Sequence, residues 1–220
     1  MTNIFTGKNY CFYLKRVIDL ILATILLLFF LPLALLISLL IKIDSEGPIL
    51  ADVPERIGAN GKTFKMYKFR SMMINAHYLL RTDPRFKKLF GEYKRSSYKL
   101  KKDPRVTTIG KFIRRHSIDE IPQLMNVIKG EMSLVGPRAY YPDELENQLS
   151  QYPYTKKLVT QVLSVKPGIT GLWQVTGRSE INFDKRIMID ADYVKHMSLL
   201  SDIKIILLTP IVMISGRGAV

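Results

Sequence analysis

The stretch LILATILLLFFLPLALLISLLI, residues 20–41, runs for 22 positions without a charged side chain. At about 1.5 Å per helical residue it is long enough to cross a hydrocarbon layer. It exceeds a signal-peptide h-region, and no small-residue cleavage site follows it. A single-pass anchor is the plain reading, and two features oppose it. Pro32 falls in the middle, where its ring removes a helical hydrogen bond. Basic residues stand on both sides, Lys15 and Arg16 before the run and Lys62, Lys65, Lys68 and Arg70 after it. Positive charge marks the cytoplasmic side, so both ends favour the same face. A re-entrant membrane helix, broken at Pro32 and entering and leaving one leaflet, satisfies both observations and is favoured over a span.

Outward from that segment the chain divides into an N-terminal piece (1–14), the re-entrant helix (15–42) and a single cytosolic, membrane-associated domain (43–220). The chain is strongly basic: Lys and Arg number 33 against 19 acidic residues, a formal charge of +14. Such an excess calls for nucleic acid, anionic headgroups or phosphorylated substrates as partner. Cys11 is the only cysteine, which excludes a disulfide framework.

Gly58-Ala59-Asn60-Gly61 reads as a turn feeding a strand over 62–70, KTFKMYKFR, and so a small sheet. Between 72 and 103 the pattern is helical and basic, with Lys87, Lys88, Lys94, Arg95, Lys99, Lys101 and Lys102 around Phe86, Leu89, Phe90 and Tyr93. This suits an amphipathic helix lying on headgroups with its aromatic stripe in the interface. The membrane segment already accounts for the charge, so no nucleic acid is expected as partner. The fold class is therefore α/β, helix-rich, with a small sheet and interfacial amphipathic helices. Residues 203–214 are too short to span and are expected to pack as a core helix or lie at the interface.

The block KFIRRHSIDEIPQLMNVIKGEMSLVGPR, residues 111–138, carries the chemistry. Ile121, Leu124, Val127 and Ile128 have helical spacing, Gly130 supplies a stop, and Asp119 is placed as the N-cap with Pro122 in the first turn. A cap at Ser117 would put Pro122 in the helix interior and is rejected. Asp119 and Glu120 form a carboxylate pair between Arg114 and Arg115 on one side and Arg138 on the other. Carboxylates that hold a divalent cation, beside guanidinium forks that grip phosphate oxygens, suit a diphosphate. An ionised Asp attacking phosphorus would form an acyl phosphate and split one difficult transfer into two easier ones. The competing reading is a membrane-anchored protein for anionic lipid or nucleic acid, with Asp119 only a cap. His77, His116 and His196 have no ligand-like spacing and read as surface or packing residues. There is no P-loop and no dinucleotide fingerprint. Residues 166–178, KPGITGLWQVTGR, read as a tight loop around Trp173 where backbone can approach a ligand.

Three motifs in order, GANGKTFKMYKFRSM (58–72), RRHSIDEIPQLMNVIKGEMSLVGPR (114–138) and KPGITGLWQVTGRS (166–179), resemble the bacterial sugar transferase family, the monotopic polyprenyl-phosphate phosphoglycosyl transferases. The stretch 99–115 and the ending 216–220 look closer to the catalytic half of undecaprenyl-phosphate hexose 1-phosphate transferases. The resemblance implies transfer of a sugar 1-phosphate from a nucleoside diphosphate sugar, a UDP-hexose, to polyprenyl phosphate at the cytoplasmic face of the inner membrane. It implies Asp119 as nucleophile and Mg²⁺ ligand, Glu120 as its partner in the dyad, and Lys68, Arg70, Arg114 and Arg138 as substrate-binding residues. Membrane lipids are implied as partners, with a homodimer left open. Direct attack by polyprenyl phosphate, the carboxylates acting only through the metal, is the alternative chemistry.

Overall fold

In the computed structural model the apolar run lies within one helix, α1 (Lys15–Asp44), 30 residues long. Residues 6, 10, 14–95, 98, 100, 102–177 and 181–215 are described. Cys11, Lys99, Lys101, Arg178 and the 216–220 ending lie outside them. The expected break at Pro32 is corrected: the proline sits inside a continuous helical element. One lost N–H donor does not end a helix whose other bonds persist. Thr24 and Ser38 also return their hydroxyls to the carbonyls of Leu20 and Ala34, at 2.8 and 2.7 Å.

Both ends of α1 dock on the same body. Lys15, Asp19 and Ala23, spaced by four on one helix face, are buried, as are Ile37 and Ile41 near the other end. Leu28 and Phe29, between these two docking points, are 66% and 73% exposed. Polar anchors fix the N-terminal end. Lys15 pairs with Asp202 at 2.5 Å, and the hydroxyls of Tyr10 and Tyr193 donate to the same carboxylate at 2.8 and 2.7 Å. Asp19 accepts from Ser133 Oγ and the Leu134 N–H.

The body is built of short elements. β1 (Arg56–Ile57) and β2 (Thr63–Phe64) pair antiparallel across a turn in which Asn60 and Gly61 take positive φ, +56° and +76°, as an Asn-Gly hairpin requires. The expected strand over 62–70 is corrected to these two paired residues. Beyond them the chain stays extended and pairs again only at isolated antiparallel bridges, Phe69 with Leu50 and Met72 with Val106, while Phe69 N–H donates to the Asp119 carbonyl. β3 (Ser133–Val135) and β4 (Gly168–Thr170) pair in parallel.

Within the segment expected to be a loop, residues 168–176 are thus strand β4 followed by helix α8 (Leu172–Thr176). Its glycines serve close backbone packing. A methyl group on Gly168 would collide with the backbone nitrogen of Gly136.

Among the basic helices α2 (Ala76–Thr82), α3 (Lys87–Arg95) and α4 (Thr108–Arg115), the aromatic stripe faces inward. Phe86, Leu89 and Phe90 pack half-buried against Leu80, Tyr98, Leu100 and Tyr141, correcting the expected dip into lipid. The 111–138 block supplies α5 (Gln123–Lys129), followed by α6 (Pro142–Gln151), α7 (Lys156–Val162), α9 (Phe183–Lys195) and α10 (Leu199–Ser215). α10 is two-faced: it buries Asp202 and Ile205 and exposes Leu200, Leu207 and Ile211. Among the described residues only α1 is long and apolar enough to cross a membrane.

Candidate active site

Asp119 and Glu120 lie in a short 3-10 turn, Ile118–Glu120, and α5 begins at Gln123 after Pro122. The expected capping role of Asp119 is corrected. Pro122 has no N–H to bond the Ile118 carbonyl and crowds it, so the chain closes i→i+3 turns here instead of one α-helix. Gly130 ends α5 in the left-handed conformation at φ +82°, as its stop role demands. With capping removed, the lipid- or nucleic-acid-binding alternative loses its account of Asp119. Ile118 and Ile121 pack from beneath with Ile37, Ile41 and Ile113, so the turn rests on the membrane helix.

The extended strand 67–70 runs beside this turn. Phe69 N–H donates to the Asp119 carbonyl at 3.0 Å, and its ring points into the core. Alternation then turns Lys68 and Arg70 to the opposite face. Asn126, wholly buried on α5, locks the strand: its Oδ1 accepts from Tyr67 N–H at 2.9 Å and its Nδ2 donates to the Lys65 carbonyl at 2.8 Å. Lys68 Nζ consequently reaches Glu120 Oε1 at 2.8 Å and Asp119 Oδ2 at 3.5 Å.

Burial pushes the Asp119 carboxyl above the ordinary Asp range; Lys68 and Arg114 oppose the shift and Glu120 adds to it. Burial works to lower the Lys68 ammonium, but Glu120 and Asp119 outweigh it and hold the group above its usual value. His77 is pushed down to about 3 by burial and by Arg56 and Arg105, so its imidazole is neutral. It lines the pocket, a correction of its reading as surface or packing; His116 and His196 are exposed, as expected.

One cavity of about 300 Å³ brings together all six residues that the sequence singled out: Lys68, Arg70, Arg114, Asp119, Glu120 and Arg138. Their duties differ. The Arg70 guanidinium donates to the Ser45 hydroxyl, the Ser45 carbonyl and the Pro48 carbonyl at 2.8, 2.8 and 2.6 Å, tying the strand to the chain leaving α1. Arg138 pairs with Glu144 at 3.6 Å and lies over the Trp173 ring at 5.5 Å.

Arg56, Asn126, Glu144 and Trp173 escaped the sequence reading as site residues. Arg56 donates to the Ala139 carbonyl at 3.1 Å and stacks 3.2 Å from the Tyr141 ring centroid. Its partners are remote in sequence, and no local pattern marks it. Asn126 looked like an ordinary polar position within a helix.

The donor set fits Mg²⁺. Two adjacent carboxylates already embrace one cation, the Lys68 ammonium. Among the described residues no group of three or more metal-ligating side chains occurs. A hard ion held at Asp119 would therefore complete its oxygen shell from substrate phosphate and water.

The family model described as bacterial sugar transferase matches residues 10–216. An uncharacterized sugar transferase of Haemophilus influenzae is 43% identical over 210 residues, 94% of this chain and 42% of the relative. The undecaprenyl-phosphate galactose phosphotransferase of Salmonella typhimurium is 41% identical over 211 residues, with 94% and 42% covered. The exopolysaccharide production protein ExoY of Rhizobium meliloti is 40% identical over 205 residues, 93% of this chain and 87% of the relative. The chain thus spans about two-fifths of the first two relatives and most of the third.

Proposed function

The chain belongs to the bacterial sugar transferase family, close to its hexose 1-phosphate transferases, and from that premise we propose that it moves a hexose 1-phosphate from a UDP-hexose to polyprenyl phosphate. The product would begin a surface glycan such as an exopolysaccharide, capsule, O-antigen or glycoprotein glycan. One observation carries the reading: a buried, uncapped aspartate stands at a cavity whose other walls bear Lys68, Arg114 and Arg138.

Asp119 Oδ attacks the phosphorus that bears the sugar. An Asp–O–P bond forms, the phosphoanhydride P–O bond breaks, and the electron pair leaves on the nucleoside monophosphate. An oxygen of polyprenyl phosphate then attacks the same phosphorus and the aspartyl bond breaks, restoring the carboxylate. Lys68 keeps Asp119 ionised and aimed, Glu120 holds Lys68, and Arg114 offsets the charge of the incoming diphosphate. Mg²⁺, when held at Asp119, would screen the repulsion between the carboxylate and the phosphate.

The membrane topology follows the same logic. Both ends of α1 are bound to one body, which supports an unbroken helix lying within one leaflet with both ends on the same face, and a domain resting on the cytoplasmic side of the inner membrane. Large apolar side chains along its middle suit a lipid environment. Membrane lipids are then partners, and a homodimer is tested by mass in lipid discs.

The deciding experiment is nucleoside monophosphate release from a panel of nucleotide sugars, with and without polyprenyl phosphate, in Mg²⁺. A stoichiometric burst without acceptor, acceptor-dependent turnover with a UDP-hexose, and loss of both in Asp119→Asn are expected. Turnover without a burst would overturn the covalent intermediate and favour direct attack.

A further inference from the structure

A second cationic group borders the same cavity. Arg56, Arg138 and Arg186, from three distant segments, converge on the single carboxylate of Glu144, at 4.0, 3.6 and 3.8 Å. Glu144 is wholly buried on α6, and three guanidiniums around one carboxylate leave the cluster with surplus positive charge. Arg186 stands behind, while Arg56 and Arg138 border the cavity.

Arg56 is 7% exposed, and both Arg56 and Arg138 bury an Nε that has no hydrogen-bond partner. A buried donor without an acceptor is destabilising, and uncompensated buried charge more so. An anion entering the cavity would offset that charge. Lys68 is already engaged with Asp119 and Glu120. Two cationic groups lining one cavity of about 300 Å³ match a ligand with two linked phosphates.

Resting on the reading of this cavity as a nucleotide-sugar site, we propose that Arg56, braced by Glu144 and acting beside Arg138, grips the nucleotide's own phosphate. The phosphosugar then faces Lys68 and Arg114. When the phosphoanhydride bond breaks, the electron pair moves onto the phosphate held by Arg56, where a guanidinium fork stabilises it. Stacking on Tyr141 and the bond to the Ala139 carbonyl fix the plane of Arg56 before substrate arrives.

The test uses the full chain in lipid discs, titrated calorimetrically with UMP, CMP and GMP. Arg56→Lys keeps the charge and removes the fork; Arg138→Lys, at a less buried side chain, decides the matter if the first variant does not fold. Both are expected to weaken the monophosphate bound by wild type by about tenfold or more, with unchanged thermal unfolding. Asp119→Asn, outside the Glu144 cluster, is expected to change that affinity less than about twofold. Wild-type affinity in both lysine variants, or an equal loss in Asp119→Asn, overturns the proposal while leaving the transferase reading intact. A wild-type protein that binds no monophosphate and releases none from any nucleotide sugar overturns both.

Discussion

The Lys68 ammonium stands 3.5 Å from the Asp119 carboxylate although 51 positions separate the two residues. Two hydrogen-bonded contacts set that distance: Phe69 N–H on the Asp119 carbonyl, and the Asn126 side chain clamped on the backbone of Lys65 and Tyr67. Asp119 and its counter-charge are therefore positioned by backbone, not by two flexible side chains finding each other. Such preorganisation is what lets a fixed charge act without reorganising during the reaction.

Asp119→Asn should abolish the nucleotide burst and lower turnover by at least about a thousandfold, because an amide cannot form the acyl phosphate. Thermal unfolding should change little, since Asp119 caps no helix. For wild type the burst should disappear on the acid side at a pH above the ordinary Asp range, because burial favours the protonated, non-nucleophilic form. Rapid-quench assays across pH check this, and full activity in Asp119→Asn would sink the mechanism.

Lys68→Met should leave two carboxylates facing each other without their shared cation. Turnover is expected to fall by about a hundredfold, the loss typical of one electrostatic group aimed at the reacting centre. The acid loss of activity should also move to higher pH, because Lys68 is the largest influence opposing the rise at Asp119. A pH–rate profile of the variant reads both effects.

Asp190 should make the fold less stable as the medium turns alkaline. Burial pushes its carboxyl up to about 7, against the Arg138 N–H and the nearby guanidiniums. The unfolded chain titrates near about 3.9, so the native state holds a proton that the unfolded state has released between these values. That contribution is complete below about pH 4 and is lost as pH rises through about 7. Asp190→Asn keeps an acceptor for the Arg138 N–H and removes the titration. Its melting temperature should vary less than wild type's between about pH 5 and pH 8, and exceed it at the upper end.

Gly168→Ala should destabilise the chain by about 3 kcal/mol or more, because the added methyl meets the Gly136 backbone, which has no flexible end to move aside. Gly61→Ala offers the contrast. Nothing lies within 4 Å of its added methyl, and the cost there comes only from φ at +76°. Denaturant melts of the two variants separate collision from backbone strain.

Much of this protein was legible along the chain because its signals are local. An uncharged run of helical length, an Asn-Gly turn, a glycine after an apolar helix and an Asp-Glu pair between arginines each depend on residues a few positions apart. The errors share a cause as well. Pro32 and Pro122 were read by rule, but a long helix carries one proline without breaking, whereas the short one begins after its proline. The aromatic stripe around Phe90 was assigned to lipid, and the partners that claim it, Leu80, Tyr98 and Tyr141, are brought beside it only by the fold.

The sequence by itself determined the apolar helix and the helix-rich α/β class, since periodicity and charge are properties of the chain, and its resemblance to a family named six residues that meet in one cavity. Only the tertiary structure decided that Asp119 is free of capping duty, that Arg70 tethers the chain leaving α1, and that Arg56, Arg138 and Arg186 share Glu144. These last facts are distances between segments far apart in the chain. They are set by how buried surfaces pack, and no local pattern of residue types encodes them.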